Sequence, residues 1–126
     1  MPTTDRNVLE DTGAPFLMIS SMDVAPDKEG LFNEVYDKEH LCNLAAVPGV
    51  LRIDRYVTTE LVMAIGGRVH RVGVSGPKYH AIYALTTPDV LVSEAWNQAV
   101  EAGRWPGEVR PFTLNREHLL CKRLGG

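Results

Sequence analysis

The sequence predicts a single α+β domain in the order β-α-β-β-α-β. Three observations carry this. Residues 16–24 and 79–86 are rich in aliphatic and aromatic residues at strand length, and the first stretch is apolar on both parities. Two amphipathic segments, each opened by a proline, follow those two strands. The length of 126 residues, with 44% hydrophobic and 23% charged, fits one domain with an ordinary core.

The chain opens on a polar stretch, MPTTDRNVLEDTGAP, and residues 1–14 are expected to form a flexible arm. It holds no apolar run of signal-peptide length, and no stretch nears the ~20 apolar residues of a membrane span. A cytoplasmic protein is expected. The first strand, FLMISSMDV, places Phe16 and Met18 on one parity and Leu17 and Ile19 on the other, so it needs cover on both faces. Pro26 and Asp27 then open a helix over 26–46. Leu31, Val35 and Leu41 share its apolar stripe with Phe32, Tyr36 and Cys42, and Gly30 weakens its first turns by ~1 kcal/mol. Pro48 and Gly49 end it.

Residues 50–58 form the second strand. It alternates Leu51, Ile53, Arg55 and Val57 against Val50, Arg52, Asp54 and Tyr56. Residues 59–78 read as an insertion between the middle strands. Its LVMAI run suits either a short helix capped by Gly66 or a strand turning at Gly66 and Gly67. Val69, Val72 and Val74 favour the hairpin. The third strand is YHAIYALT. The second helical segment runs over 87–103 with Leu91, Ala95, Trp96, Ala99 and Val100 as its stripe, and this spacing places Trp96 in the core. Pro106 and Gly107 mark a turn, and residues 110–124 supply the last strand. This is the split βαβ order of the ferredoxin-like motif: a four-stranded antiparallel sheet with two helices on one face. Strands apolar on both parities leave the other face to be covered, and a second copy of the chain would cover it.

Composition excludes several functions. Net charge is −3, and Arg68, His70 and Arg71 read as a solvated loop, so no nucleic-acid stripe exists. No glycine-rich phosphate loop follows a strand, and Ser20 and Ser21 lack a nucleophile-elbow setting. Cys42 and Cys121 sit in no metal-binding spacing and read as small apolar core residues.

The segments FNEVYDKEHL (32–41), AAVPGVLRIDRY (45–56), YHAIYALTTPDVL (79–91), SEAWNQAV (93–100) and RPFTLNREHL (110–119) resemble the dimeric α/β-barrel superfamily. The Tyr-x-x-Glu-His pattern, followed by Pro-Gly-Val and a strand ending Arg-Tyr, is similar to the EthD-like branch. The resemblance covers about residues 16–124 and implies a homodimer whose two sheets form one barrel, with a cleft between sheet and helices. Activities in such proteins include oxygenation, isomerisation, dehydration and decarboxylation, with haem bound in some branches. Residues 59–78 are longer than the usual link between the middle strands.

His40 is the first candidate catalytic residue, with Tyr36 one helical turn before it on the same face. An imidazole exchanges protons near neutral pH. His40 equally suits a cap on the helix carbonyls, and Tyr36 equally suits packing. Glu39 points about 100° away and reads as solvated surface. Arg116 and His118 share parity with Phe112, Leu114 and Leu120 on the last strand, so Arg116 needs a partner if buried. That partner is a ligand's acidic group or a residue across a dimer interface, unless a bulge turns the strand. Tyr56, Tyr83 and Trp105 complete the candidate binding residues, with Trp105 at a loop as a lid or interface anchor.

Three functions compete. The first is a cofactor-independent enzyme acting on a small aromatic or cyclic compound, polyketide- or lactone-like, by His-mediated proton transfer. The second is a non-catalytic ligand-binding or accessory homodimer. The third is haem binding through His40, His70, His80 or His118, for which the sequence holds no motif.

Overall fold

The computed structural model describes residues 13–125, so the expected arm falls almost wholly outside the described residues. Its main sheet has four strands: β1 (Phe16–Val24), β2 (Val50–Val57), β5 (Tyr79–Leu85) and β6 (Thr113–Lys122). They run in the order β2-β5-β1-β6, and every neighbouring pair is antiparallel. This is the ferredoxin-like fold. The helices α1 (Glu29–Val35), α2 (Leu41–Ala45) and α3 (Glu94–Val100) lie over one face. No helix among the described residues is long and apolar enough to cross a membrane.

Register decides which side chains meet the helices. Met18 lies opposite Tyr83 and Ser20 opposite Ala81, and on the other side Leu120 lies opposite Met18 and His118 opposite Ser20. These residues face the helical layer. Phe32, Val35, Tyr36 and Leu44 descend from the helices onto Met18, Met22, Tyr83 and Leu85 to form the core. Gly49 makes the reversal into β2 possible. Its φ is +93°, and a Cβ there would lie 2.4 Å from Val90 Cγ2.

The first helical segment is continuous from 26 to 45 but not uniform. A π-helical turn, Tyr36–His40, joins α1 to α2, with the Leu41 N–H bonded to the Tyr36 carbonyl. Such turns concentrate at functional sites because they re-aim side chains. The second segment is shorter than the stripe implies: a 3₁₀ turn Pro88–Val92, then α3, whose N-cap Ser93 accepts from Trp96 N–H. Pro106 and Gly107 do not sit in a simple turn; they belong to a second π-helical turn, Trp105–Val109. Cys42 is exposed, not a core residue, because it lies on the outer side of α2.

Residues between β2 and β5 form a separate hairpin of β3 (Leu61–Ile65) and β4 (Arg68–Val72). All ten of its strand positions are exposed.

Candidate active site

A cavity of about 320 Å³ opens between the helical layer and the β1–β6 side of the sheet. That volume is at the small end of the range for small-molecule sites. Tyr36, His40, Tyr83, Trp105, Arg116 and His118 all line it, together with Trp96, Arg110 and Met22.

His40 hangs from the π-helical turn and is only 5% exposed. Its ring stacks on Trp105, with centroids 4.1 Å apart and planes 10° from parallel, and meets Tyr36 edge-on at 5.0 Å. Its Nδ1 is enclosed and has no hydrogen-bond partner among the described residues. Burial, with a smaller contribution from the Arg110 guanidinium, pushes its pKa down to about 4. The imidazole is therefore neutral at neutral pH.

Tyr36 and Tyr83 hydrogen-bond to each other through their hydroxyls at 2.6 Å. Both phenols are raised above their ordinary pKa chiefly by burial, so both stay protonated. One hydroxyl proton is used between them and one remains available to a cavity occupant. The Arg55 guanidinium lies 4.4 Å from the centre of the Tyr36 ring, tied to Asp37 at 2.6 Å and Asn33 at 2.8 Å.

Glu39 is not merely solvated. It accepts from the Arg104 backbone N–H at 3.0 Å and from Arg104 Nε at 2.5 Å. This fastens the residue next to Trp105 onto the helix carrying His40. Gly103, at φ +68°, allows the approach, since a Cβ there would lie 2.6 Å from Glu39 Oε1. The carboxyl is held below its ordinary pKa by these Arg104 bonds.

Three expectations change. Tyr56 does not line the cavity: it pairs with His80 on the opposite face of the sheet and is 54% exposed. Trp105 is not a loop lid but a buried wall of the cavity, because the π-helical turn folds it under α1. Arg116 and His118 do not share a face with Leu114. The register shifts so that Ser21 pairs with Glu117 but Asp23 with Leu114, and Asn115 takes φ +52°. Leu114 thereby turns to the far face while Thr113 turns to the helices.

Trp96 serves the site as well as the edge of the core: half-buried and packed against the core cluster, it lines the cavity edge-on to Tyr83. The helical stripe could not separate the two roles, since both point inward. Arg110 was missed as well; it sits in a 3₁₀ turn whose position no local pattern gives. Of the other histidines, His70 lies on the exposed hairpin. His80 lies on the far face, bonded at both nitrogens to Ser21 and Thr58 hydroxyls at 2.7 and 2.6 Å. Among the described residues no cluster of His, Cys, Asp and Glu could hold a metal ion.

No protein-family model matches the chain, and no curated protein sequence matches it. Among solved structures it is similar to HapK from Hahella chejuensis, at 15% identity over 88% of this chain and 94% of that one, with a TM-score of 0.54. It is also similar to the heme-degrader MhuD from Mycobacterium tuberculosis, solved with two hemes bound in its active site. There the identity is 13% over 89% of this chain and 98% of that one, with a TM-score of 0.51. At such identity the likeness shows the fold and nothing of the chemistry.

Proposed function

We propose that this chain is a cofactor-independent enzyme that moves a proton on a small cyclic or aromatic compound, and that it works as a homodimer. One observation carries the reading. A neutral, unpartnered His40 and a protonated Tyr36–Tyr83 pair line the same aromatic cavity. A neutral imidazole accepts a proton, and a phenol pair with one spare O–H stabilises the oxygen on which charge then develops. With Nδ1 enclosed, the exchange runs through Nε2. A base whose conjugate acid has a pKa of about 4 is weak, so the proton it takes is an acidic one, such as that beside a ring carbonyl. The electrons left behind pass to the carbonyl oxygen, which the phenol pair faces. Trp96 and Trp105 give a ring the flat apolar walls it needs. The EthD-like resemblance of residues 16–124 accords with this chemistry, since isomerisation and dehydration are among the activities of such proteins.

The test is α-proton exchange on 2-tetralone in D₂O, followed by NMR. Wild-type protein should accelerate exchange over buffer, and His40→Ala should not. Exchange that is equally fast with His40→Ala removes His40 from the mechanism. A His40→Phe variant that binds the ketone, with no acceleration by wild type, favours the non-catalytic binding reading.

The dimer reading rests on apolar surface that the protomer leaves uncovered. On the face away from the helices, Tyr56, Leu114 and Leu119 are each more than half exposed. The hairpin adds Leu61, Met63, Ile65 and Val72, which share one of its faces at 40–56% exposure. An isolated two-stranded hairpin is marginal in water, so a packing surface outside the protomer is expected. Leu119→Glu replaces a side chain that lies largely in solvent in the protomer. It should convert the sedimenting species from dimer to monomer while leaving the circular dichroism unchanged. A wild-type protein that sediments as a monomer at ~50 μM, well above the Kd of a stable homodimer, refutes the reading.

A further inference from the structure

The cavity's charge is one-sided. Its lining holds two cations, Arg110 and Arg116, and no Asp or Glu. Arg110 is already satisfied: it donates to both Glu101 carboxylate oxygens, at 3.0 and 2.7 Å, and to the Val100 carbonyl at 2.8 Å. Arg116 has no ion pair or hydrogen bond among the described residues. It is the unneutralised guanidinium of the site.

A built feature borders Arg116. Asn115 is the only non-glycine residue with positive φ among those described, and this conformation is strained for an L-residue. It is held there by its side-chain amide, which donates to Asp23 Oδ2 at 2.8 Å, while Asp23 Oδ1 accepts from the Lys78 backbone N–H at 2.8 Å. The bulge breaks the alternation of β6, so that Thr113, Arg116 and His118 all come to the cavity side. Bulges of this kind sit beside active sites and re-aim one side chain. Here the bulge brings Thr113 round to join Arg116 and His118, and Arg116 is a planar cation suited to gripping two oxygens at once.

We infer that the ligand is a cyclic acid of one or two fused rings, with its carboxylate bound by Arg116 at the mouth of the cavity and its ring system lodged against Trp96 and Trp105. The inference rests on the cavity reading proposed above and names the class of compound it takes. His118, two residues along the same strand face, borders the same anionic end. The volume of about 320 Å³ suits one or two fused rings.

The test compares 2-naphthoate with its neutral isostere 2-naphthamide, by calorimetry and by shifts of the Trp96 and Trp105 indole N–H resonances. Wild-type protein should bind the acid at least about tenfold more tightly, the margin expected for a hydrogen bond to a charged partner. That preference should shrink as salt rises. Arg116→Gln should erase it, with the loss falling mainly on the acid. Equal binding of acid and amide by wild type, or a preference that survives Arg116→Gln, overturns the inference but leaves the cavity reading standing. Indole resonances unmoved by either probe at millimolar concentration overturn both.

Discussion

Removing the indole that covers His40 should raise the imidazole's pKa. His40 is 5% exposed, stacks on Trp105 at 4.1 Å, and is lowered from 6.5 to about 4, mainly by burial. A fall of that size corresponds to roughly 3 kcal/mol between the charged and neutral forms. Trp105→Leu keeps an apolar side chain but uncovers one face of the imidazole, so water reaches the ring and the charged form becomes cheaper. The assay is an NMR titration of the His40 ring Cε1–Hε1 signal, assigned by its loss in His40→Gln. The wild-type signal should titrate near pH 4 and the Trp105→Leu signal distinctly closer to 6.5. A stability consequence follows with a definite sign. The folded-state pKa lies below the unfolded one, so the unfolded chain takes up the proton first. The contribution of neutral His40 is complete above pH 6.5 and is lost as pH falls from 6.5 towards 4. Urea midpoints of wild type relative to His40→Gln should therefore decline across that window. A wild-type His40 that titrates at 6 to 7, or a value unmoved in Trp105→Leu, refutes the argument that this ring is held neutral by burial.

Glu39→Ala unties Arg104 and should loosen Trp105 over His40, raising the His40 pKa by less than Trp105→Leu does; the same titration reads it. Tyr36→Phe should cost about 1–3 kcal/mol by urea denaturation, because it strands the buried Tyr83 hydroxyl, and Tyr83→Phe should do likewise. The double variant should cost less than the sum of the two. Gly49→Ala should lower stability by about 2 kcal/mol, since the backbone is left-handed there and the new Cβ meets Val90. Haemin added to purified protein should give no new Soret band dependent on His40, because a cavity of about 320 Å³ is small for a porphyrin.

Local physical chemistry determined a good deal from the sequence. The prolines at 26 and 88, the alternation in the strands and the Pro48–Gly49 break give the β-α-β-β-α-β order, because these signals act within a few residues of themselves. A spacing of four along one helix was enough to place Tyr36 and His40 together. The tertiary structure decided the rest. Tyr36 meets Tyr83, 47 residues away, only because β5 lies beneath the helix. Tyr56 turns outward, and Leu114 parts from Arg116, because strand register, not parity alone, sets the face. The shift at Asn115 depends on a partner, Asp23, that lies 92 residues distant. The property that most shapes the site, the neutrality of His40, is one no motif encodes: desolvation belongs to the whole environment, and that environment exists only once Trp105 has folded over the ring.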